Sequence, residues 1–254
     1  MAITIKSERE IELMAEAGKI LERVHNELEK ALRPGMSTKD IDTLGEEIIR
    51  SYGCIPSFLN YNGYPASICV SVNQEVVHGI PSKKRVIQEG DIVSLDAGVI
   101  YKGYHSDAAR THAVGEVSEE AKKLIQVTKE SFFEGIKFAK AGNHLFDISG
   151  AIGRYAEERG YGVVRDLCGH GIGTALHEAP EIPNYEVGRK GVRLRPGMTL
   201  AIEPMINIGT HEVDWLDDDW TVVTRDGSLS AHYENTILIT EGEPRILSLT
   251  CENE

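Results

Sequence analysis

One offset runs through this chain. Moving along it by 107 residues carries Gly35, Asp40, Ile41 and Gly53 onto Gly142, Asp147, Ile148 and Gly160. The same step carries Gly90 onto Gly197 and Asp96 onto Glu203. A constant offset across helix-like and strand-like segments indicates an internal duplication, which restricts the chain to folds built from two similar halves. In the first copy, Ser7-Glu8-Arg9-Glu10 has the pattern of a capping box. Ile11, Met14, Leu21, Val24, Leu28 and Ala31 then keep helical spacing up to Arg33-Pro34-Gly35. A second helix opens at Ser37 and closes at Tyr52-Gly53, and β-type runs follow at Ser67–Val72, Asp91–Ile100 and Tyr104–Val114.

The plan restarts near residue 116. Ser118 caps a helix that stops at Ala141-Gly142, and another carries Ile148, Ala151, Ile152 and Tyr155 to Gly160. Strand-like runs follow at Val163–Cys168, Met198–Ile208, Thr221–Thr224 and Tyr233–Thr240, with Asp226-Gly227 as a hairpin turn between the last two. The expectation is one α+β domain over 1–254, with halves at about 1–115 and 116–254 and helices on one face of a curved antiparallel sheet.

The two copies also share a carboxylate. Strand side chains alternate faces, so Ser94 and Asp96 oppose Val93, Leu95 and Ala97, and Ala201 and Glu203 oppose Leu200 and Ile202. Each acid sits inside an apolar run, where a charge must be paired, hydrogen-bonded or metal-bound. Either acid alone suits a structural ion pair; both at equivalent places in a duplication suit a shared site. Asp107 follows Asp96 by eleven residues across Lys102-Gly103, a spacing that fits a hairpin returning to one place. Glu234 opens an apolar strand, and His170 lies in Gly169-His170-Gly171-Ile172-Gly173, where glycines permit close backbone approach. His177 and His78 are further candidates. Four carboxylates and a histidine make a hard, oxygen-rich set suited to paired divalent ions. Two such ions ~3.5–4 Å apart can share a hydroxide and polarise a carbonyl, giving hydrolysis without a protein nucleophile.

Composition narrows the alternatives. With 27 basic and 40 acidic residues the net charge is −13, which disfavours nucleic acid and anionic membrane surfaces as partners. No apolar run approaches the ~18 residues of a span, and the first residues have no signal-peptide core. Cys54, Cys69, Cys168 and Cys251 are widely spaced, as in a reduced cytoplasmic protein. Nucleotide loops, a G-x-S-x-G elbow and H-E-x-x-H are all missing.

At these residues the sequence resembles the type I methionine aminopeptidases of the bacterial kind. The matching stretches are Asn60–Pro65, Val77–Pro81, Asp91–Gly98, Gly103–Asp107, Cys168–Gly173, His177–Pro180, Pro196–Met205 and Tyr233–Thr236, in family order. The resemblance implies the pita-bread fold and a pair of divalent ions, cobalt, manganese, iron or zinc, held by Asp96, Asp107, His170, Glu203 and Glu234. Asp107 and Glu234 would bridge them, and Glu203 would also shuttle a proton. His78 and His177 would bond the substrate and the tetrahedral intermediate. A pocket of Phe58, Tyr61, Tyr64, Cys69 and Trp220 would read the thioether of an N-terminal methionine.

The implied reaction is excision of initiator methionine from nascent polypeptides with a small second residue, by a two-metal-activated hydroxide. The implied enzyme is a cytoplasmic monomer, with contact to the ribosome left open. Asn73 and Ser230 match a monovalent-cation site of some relatives. Leu176, Asn62 and Phe58 depart from residues common in the family and bear on pocket shape. An X-Pro peptidase of the same fold is the nearer alternative; such enzymes usually carry an extra N-terminal domain. A non-catalytic binding protein would be expected to lose ligands, and all five are present. His25 and His144 are expected to be solvated on helices, and His105, His112, His211 and His232 to be surface or core hydrogen-bonding groups. Asp217-Asp218-Asp219 is expected to be a solvated turn that places Trp220. The start Met1-Ala2 itself fits the substrate rule.

Overall fold

The computed structural model describes residues 3–249. Met1-Ala2 and Cys251, each the subject of an expectation above, lie outside them. Among the described residues four long helices form: α1 Glu8–Ala31, α2 Thr38–Ser51, α3 Glu119–Ile136 and α4 Leu145–Glu157. The reasons are local. Ser7 and Glu10 make the capping box of α1, Ser37 and Asp40 that of α2, and Ser118 accepts from Ala121 N–H at the start of α3.

Among the described residues, nine strands form one antiparallel sheet. Its order runs Ile55–Pro56, Ile92–Tyr101, Tyr104–Ala113, Glu234–Leu238, Thr199–Ile202, Gly169–Gly171, Glu178–Ile182. Ile68–Val72 also pairs with Ile92–Tyr101. One face of this sheet is covered by helices. Val93, Leu95 and Ala97 pack with Leu21, Val24 and Leu28 of α1 and Ile41 and Ile48 of α2. Leu200, Ile202 and Ile237 pack with Phe132 of α3 and Ile148 and Ile152 of α4. The two apolar layers leave the other face free for polar groups.

The offset of 107 relates backbone contacts as well as residues. Gly35 N–H donates to Ile87 O at 2.9 Å, and Gly142 N–H to Leu194 O at 3.0 Å. Thr38 N–H donates to Arg85 O at 2.9 Å, and Leu145 N–H to Val192 O at 2.8 Å. The isolated bridges Ser37–Val86 and His144–Arg193 form another such pair.

Three readings need correction. The run Met198–Ile208 is not one strand: Thr199–Ile202 lies in the large sheet and Met205–Asn207 in a three-stranded sheet. Pro204 has no N–H for a ladder bond, so the chain changes sheets there. Asp226-Gly227 does turn, with Gly227 N–H on Thr224 O at 3.2 Å. The strands on either side, Val222–Thr224 and Ser230–His232, nevertheless enter different sheets, so no hairpin forms. Of Val163–Cys168 only Val163 lies in a strand, which is Gly162–Val163.

Candidate active site

Register alone brings the acids together. Ala109 lies opposite Asp96 on one side and opposite Glu234 on the other. Directly opposed residues share a face, so Asp96, Ala109 and Glu234 point the same way, as does Asp107 two residues before Ala109. Ala201 opposes both Thr236 and His170, which adds His170 and, two residues beyond Ala201, Glu203 to that face. All five residues named from sequence thus project from the side that the helices leave open.

Local features hold them there. A Cβ on Gly169 would stand 2.4 Å from Ala201 O, and one on Gly171 2.2 Å from Ala179 O. Only glycine allows the His170 strand to lie this close to its neighbours. His170 Nδ1 is 2.8 Å from Gly171 O. A carbonyl only accepts, so the proton is on Nδ1 and the lone pair on Nε2. Nε2 lies 3.5 Å from Glu203 Oε1 and 4.0 Å from Asp107 Oδ2. Thr236 Oγ1 accepts from Asp107 N–H and donates to Asp107 O, both at 2.9 Å. Asn184 Nδ2 donates to Glu203 O at 3.0 Å.

The electrostatics are those of a cluster short of positive charge. Burial, followed by the charge of Asp107, pushes Asp96, Glu203 and Glu234 well above the usual carboxylate range. Burial raises Asp107 to about 7. Burial lowers His170 to about 3 and His78 to about 4, so both imidazoles are neutral at neutral pH. Among the described residues, Asp107, Glu203 and Glu234 have ion-pair partners only in histidines, and Asp96 has none. Arg110 is nearby, but its guanidinium is spent on Ala109 O, Glu234 O and Asn235 Oδ1. One buried oxygen on each acid, Asp96 Oδ1, Asp107 Oδ1, Glu203 Oε1 and Glu234 Oε1, has no hydrogen-bond partner. Buried carboxylates left this way are costly unless cations neutralise them. Asp107, His170 and Glu234 offer ligand atoms within 4.8 Å of one another, as do Asp96, His232 and Glu234. The donor set therefore fits divalent ions.

These acids and His170 line a pocket of about 170 Å³ shared with Phe58, Tyr61, Asn62, Tyr64, Cys69, His78, Leu176, His177 and Trp220. Every catalytic, pocket and divalent-metal residue expected from sequence lines this one cavity, whereas Asn73 and Ser230 do not. Tyr64 meets Trp220 edge-on at 5.1 Å between ring centres, and His78 meets it at 6.3 Å. His177 Nδ1 is 2.7 Å from Tyr61 Oη, and its ring centre is 4.1 Å from that of His170. His78 has φ 58, and a Cβ on the next residue, Gly79, would stand 2.4 Å from Val70 O. A non-glycine residue in this region costs of order 1–3 kcal/mol and persists only where its surroundings impose it. Asp218 Oδ1 accepts from the N–H groups of Trp220 and Thr221, so the acidic run does shape the Trp220 turn.

Some histidines depart from expectation. His25 is buried, with Nε2 2.9 Å from Ala108 O, because it shares the stripe of Leu21, Val24 and Leu28 that faces the sheet. His144 is the N-cap of α4 and is half-buried rather than solvated on a helix. Sequence reasoning passed over Thr236 and Asn184. His232, expected to be a surface or core hydrogen-bonding group, is buried with neither ring nitrogen hydrogen-bonded. Asn73 and Ser230 are adjacent through Ser230 N–H on Asn73 O at 2.9 Å, with the Asn73 amide on Asp91 and the Ser230 hydroxyl on Ile206 O.

A pocket floored by acids and a neutral histidine, on a duplicated α+β frame, is the site of a metal-dependent hydrolase. The chain belongs to Metallopeptidase family M24, whose pattern matches residues 12–241. It is 58% identical over 250 residues to the methionine aminopeptidase of Clostridium acetobutylicum, covering 98% of this chain and 100% of that protein. The methionine aminopeptidase structure from Thermotoga maritima superposes with a TM-score of 0.96 at 48% identity, covering 98% of this chain and 100% of that one. The Xaa-Pro dipeptidase of Bacillus anthracis gives a TM-score of 0.78 at 28% identity, covering 97% of this chain but 62% of that one. The fold is the pita-bread fold expected from sequence, and the protein is a hydrolase that binds divalent metal.

Proposed function

We propose that this protein removes the N-terminal methionine of nascent polypeptides whose second residue is small. The observation that carries the reading is the single pocket in which Asp96, Asp107, His170, Glu203 and Glu234 stand beside an apolar, aromatic wall. The family and the high identity to methionine aminopeptidases support it. Asp96, Asp107, His170, Glu203 and Glu234 would hold two divalent ions of the cobalt, manganese, iron or zinc kind, with Asp107 and Glu234 serving both. When bound, such ions supply Lewis-acid polarisation of the peptide carbonyl and activation of water at neutral pH.

The protein's own groups do the rest. Phe58, Tyr61, Tyr64, Cys69 and Trp220 enclose an unbranched thioether and exclude water from it. Glu203, reaching both the pocket and the acid cluster, takes the proton of the attacking water and returns it to the leaving amine. His78 and His177 donate hydrogen bonds to the scissile amide and to the oxygen on which negative charge develops. His78 is fixed by its backbone and His177 by Tyr61, so little reorganisation is needed as that charge grows. We assign residues 1–254 to one catalytic domain of two halves, 1–115 and 116–254, acting as a cytoplasmic monomer. The adjacency of Asn73 and Ser230 supports a monovalent cation beside that turn.

A peptide panel tests the specificity. With added divalent metal, Met-Ala-Ser is cleaved and Met-Lys-Ser hardly at all. Equal cleavage of both rejects the small-residue rule, and preference for X-Pro dipeptides favours the X-Pro alternative.

A further inference from the structure

The segment ahead of the first helix carries a lysine that the mechanism above does not use. Residues 3–7 run as a strap into α1, and Lys6 within it is only 7% exposed. A buried ammonium needs a partner, and Lys6 has one across the molecule. Its Nζ donates to Glu178 Oε2 at 2.6 Å and to Thr4 Oγ1, and Thr4 Oγ1 donates to the same carboxylate oxygen at 2.6 Å. The backbone of the strap is tied down as well, through Lys6 N–H on Gly197 O at 2.8 Å. α1 packs on the first half of the sheet, whereas Gly197 and Glu178 belong to the second, so the strap joins the two halves.

Glu178 directly follows His177. His177 lines the pocket, and Glu178 and Lys6 do not. The turn that carries His177, residues 173–178, has little packing to hold it: Thr174, Ala175 and His177 are exposed, and Leu176 is its buried apolar side chain. Segments with few buried contacts open locally at low cost. Polar ties take the place of packing here. Glu178 Oε1 accepts from Ala175 N–H at 3.3 Å, and Gly173 N–H donates to Ala175 O at 3.1 Å. The carboxylate thus grips the turn with one oxygen and the strap with the other. Gly173 leaves room for the pair, since a Cβ there would stand 2.5 Å from both Lys6 Cε and Glu178 Oε1. Tyr61 Oη restrains the ring of His177, and the Lys6–Glu178 pair restrains its backbone.

We propose that Lys6 is a positioning residue for methionine removal: its buried ion pair with Glu178 holds the turn 173–178 where His177 meets the substrate. The inference rests on the function proposed above and deepens it. Removing one partner of a buried pair leaves the other charge uncompensated, and the turn must then move to let water reach it. A displacement of about 1 Å at a group that contacts the reacting atoms can cost of order 10²-fold in rate.

The test compares the full chain as wild type, Lys6→Met, Glu178→Gln and His177→Ala, and as each of the first two variants combined with His177→Ala, on Met-Ala-Ser with added Co(II). Lys6→Met should lower kcat about tenfold, with KM within about twofold and metal stoichiometry unchanged, and Glu178→Gln should do the same. In the His177→Ala background each should change kcat by less than about twofold, because the group they position is gone. A tenfold loss in that background, or wild-type kcat in Lys6→Met, overturns the inference and leaves the peptidase reading standing. Nitrogen-15 NMR of the chelated protein gives a readout independent of turnover. The His177 ring signals, assigned by their loss in His177→Ala, should shift in Lys6→Met while those of His25 do not; unmoved His177 signals overturn the inference. A wild type that releases no methionine overturns both readings. Failure of both Lys6→Met and Glu178→Gln to fold, judged by circular dichroism, assigns the pair to the fold rather than to His177 and overturns the inference as well.

Discussion

At the scale of single residues, the account turns on which groups hold cations and which touch substrate. Asp107 is buried, central to the cluster and the strongest charge acting on Asp96, Glu203 and Glu234. Asp107→Asn keeps the shape and removes the charge, so peptidase activity should fall by more than about 100-fold with loss of bound metal. Elemental analysis beside the kinetic assay checks both halves of that statement. His177 touches Tyr61 and His170 but no acid of the cluster. His177→Ala should lower kcat by about 10²-fold with metal stoichiometry unchanged. Loss of a metal equivalent in that variant would mean that the ligand and contact roles are exchanged. Asp96, Glu203, Glu234 and His170 were legible in the sequence as polar residues in apolar or glycine-rich runs, and Asp107 by its hairpin spacing from Asp96. Thr236 and Asn184, which hold Asp107 and Glu203, were not legible. A strand hydroxyl or a loop amide looks alike whether it bonds a neighbour or faces water, and only the folded structure shows its partner.

At the scale of elements, boundaries followed local chemistry closely where caps and turns are strong. The capping boxes at Ser7 and Ser37 start α1 and α2, and Asp91–Ile100 differs from the observed Ile92–Tyr101 by one residue at each end. Pairing was less legible. The Met198–Ile208 run looks continuous in hydropathy, and its division at Glu203-Pro204 reflects which sheet each part joins. That division leaves Glu203 at the end of the Thr199–Ile202 strand, facing the pocket. The short Gly169–Gly171 strand was invisible because glycine has low strand preference; closeness to Ala201 and Ala179, not propensity, makes it a strand. Gly171→Ala tests this. Its methyl group would collide with backbone that cannot move freely, so the variant should lose about 1–3 kcal/mol of stability and displace His170. Urea unfolding measures the first effect and metal affinity the second. Wild-type values for both would mean that the close approach is not needed.

At the scale of the whole molecule, the duplicated plan leaves two apolar layers on one face of the sheet and gathers negative charge on the other. The offset of 107 was legible because glycines and capping residues at turns tolerate few replacements. The folded-state meaning, paired backbone bonds at Gly35 and Gly142 and at Thr38 and Leu145, needed the structure. The charge gathering has a consequence for stability. In the metal-free protein Asp107 titrates at about 7 against an ordinary 3.8, and the other three acids are raised too. The folded form then holds protons that the unfolded chain gives up, so stability falls as pH rises through the folded values. His78, His105, His170 and His232 act the other way, at about 3 to 4 against 6.5, and their contribution is level above the unfolded value. Between about pH 6.5 and 8 the acids alone supply this slope. Calorimetry should therefore show the melting temperature of the chelated protein falling across that interval. The metal-loaded protein, its acids held ionised by cations, should lose that fall. A chelated protein whose stability does not fall there would contradict the crowding of the four acids.

The most direct measurement is methionine release from Met-Ala-Ser by the chelated protein as Co(II) or Mn(II) is added back. The expected result is no release without metal and recovery of release on titration with the ion, with Asp107→Asn inactive throughout. Full release by the chelated protein, or none at any concentration of either ion, would contradict a metal-dependent removal of N-terminal methionine at this site.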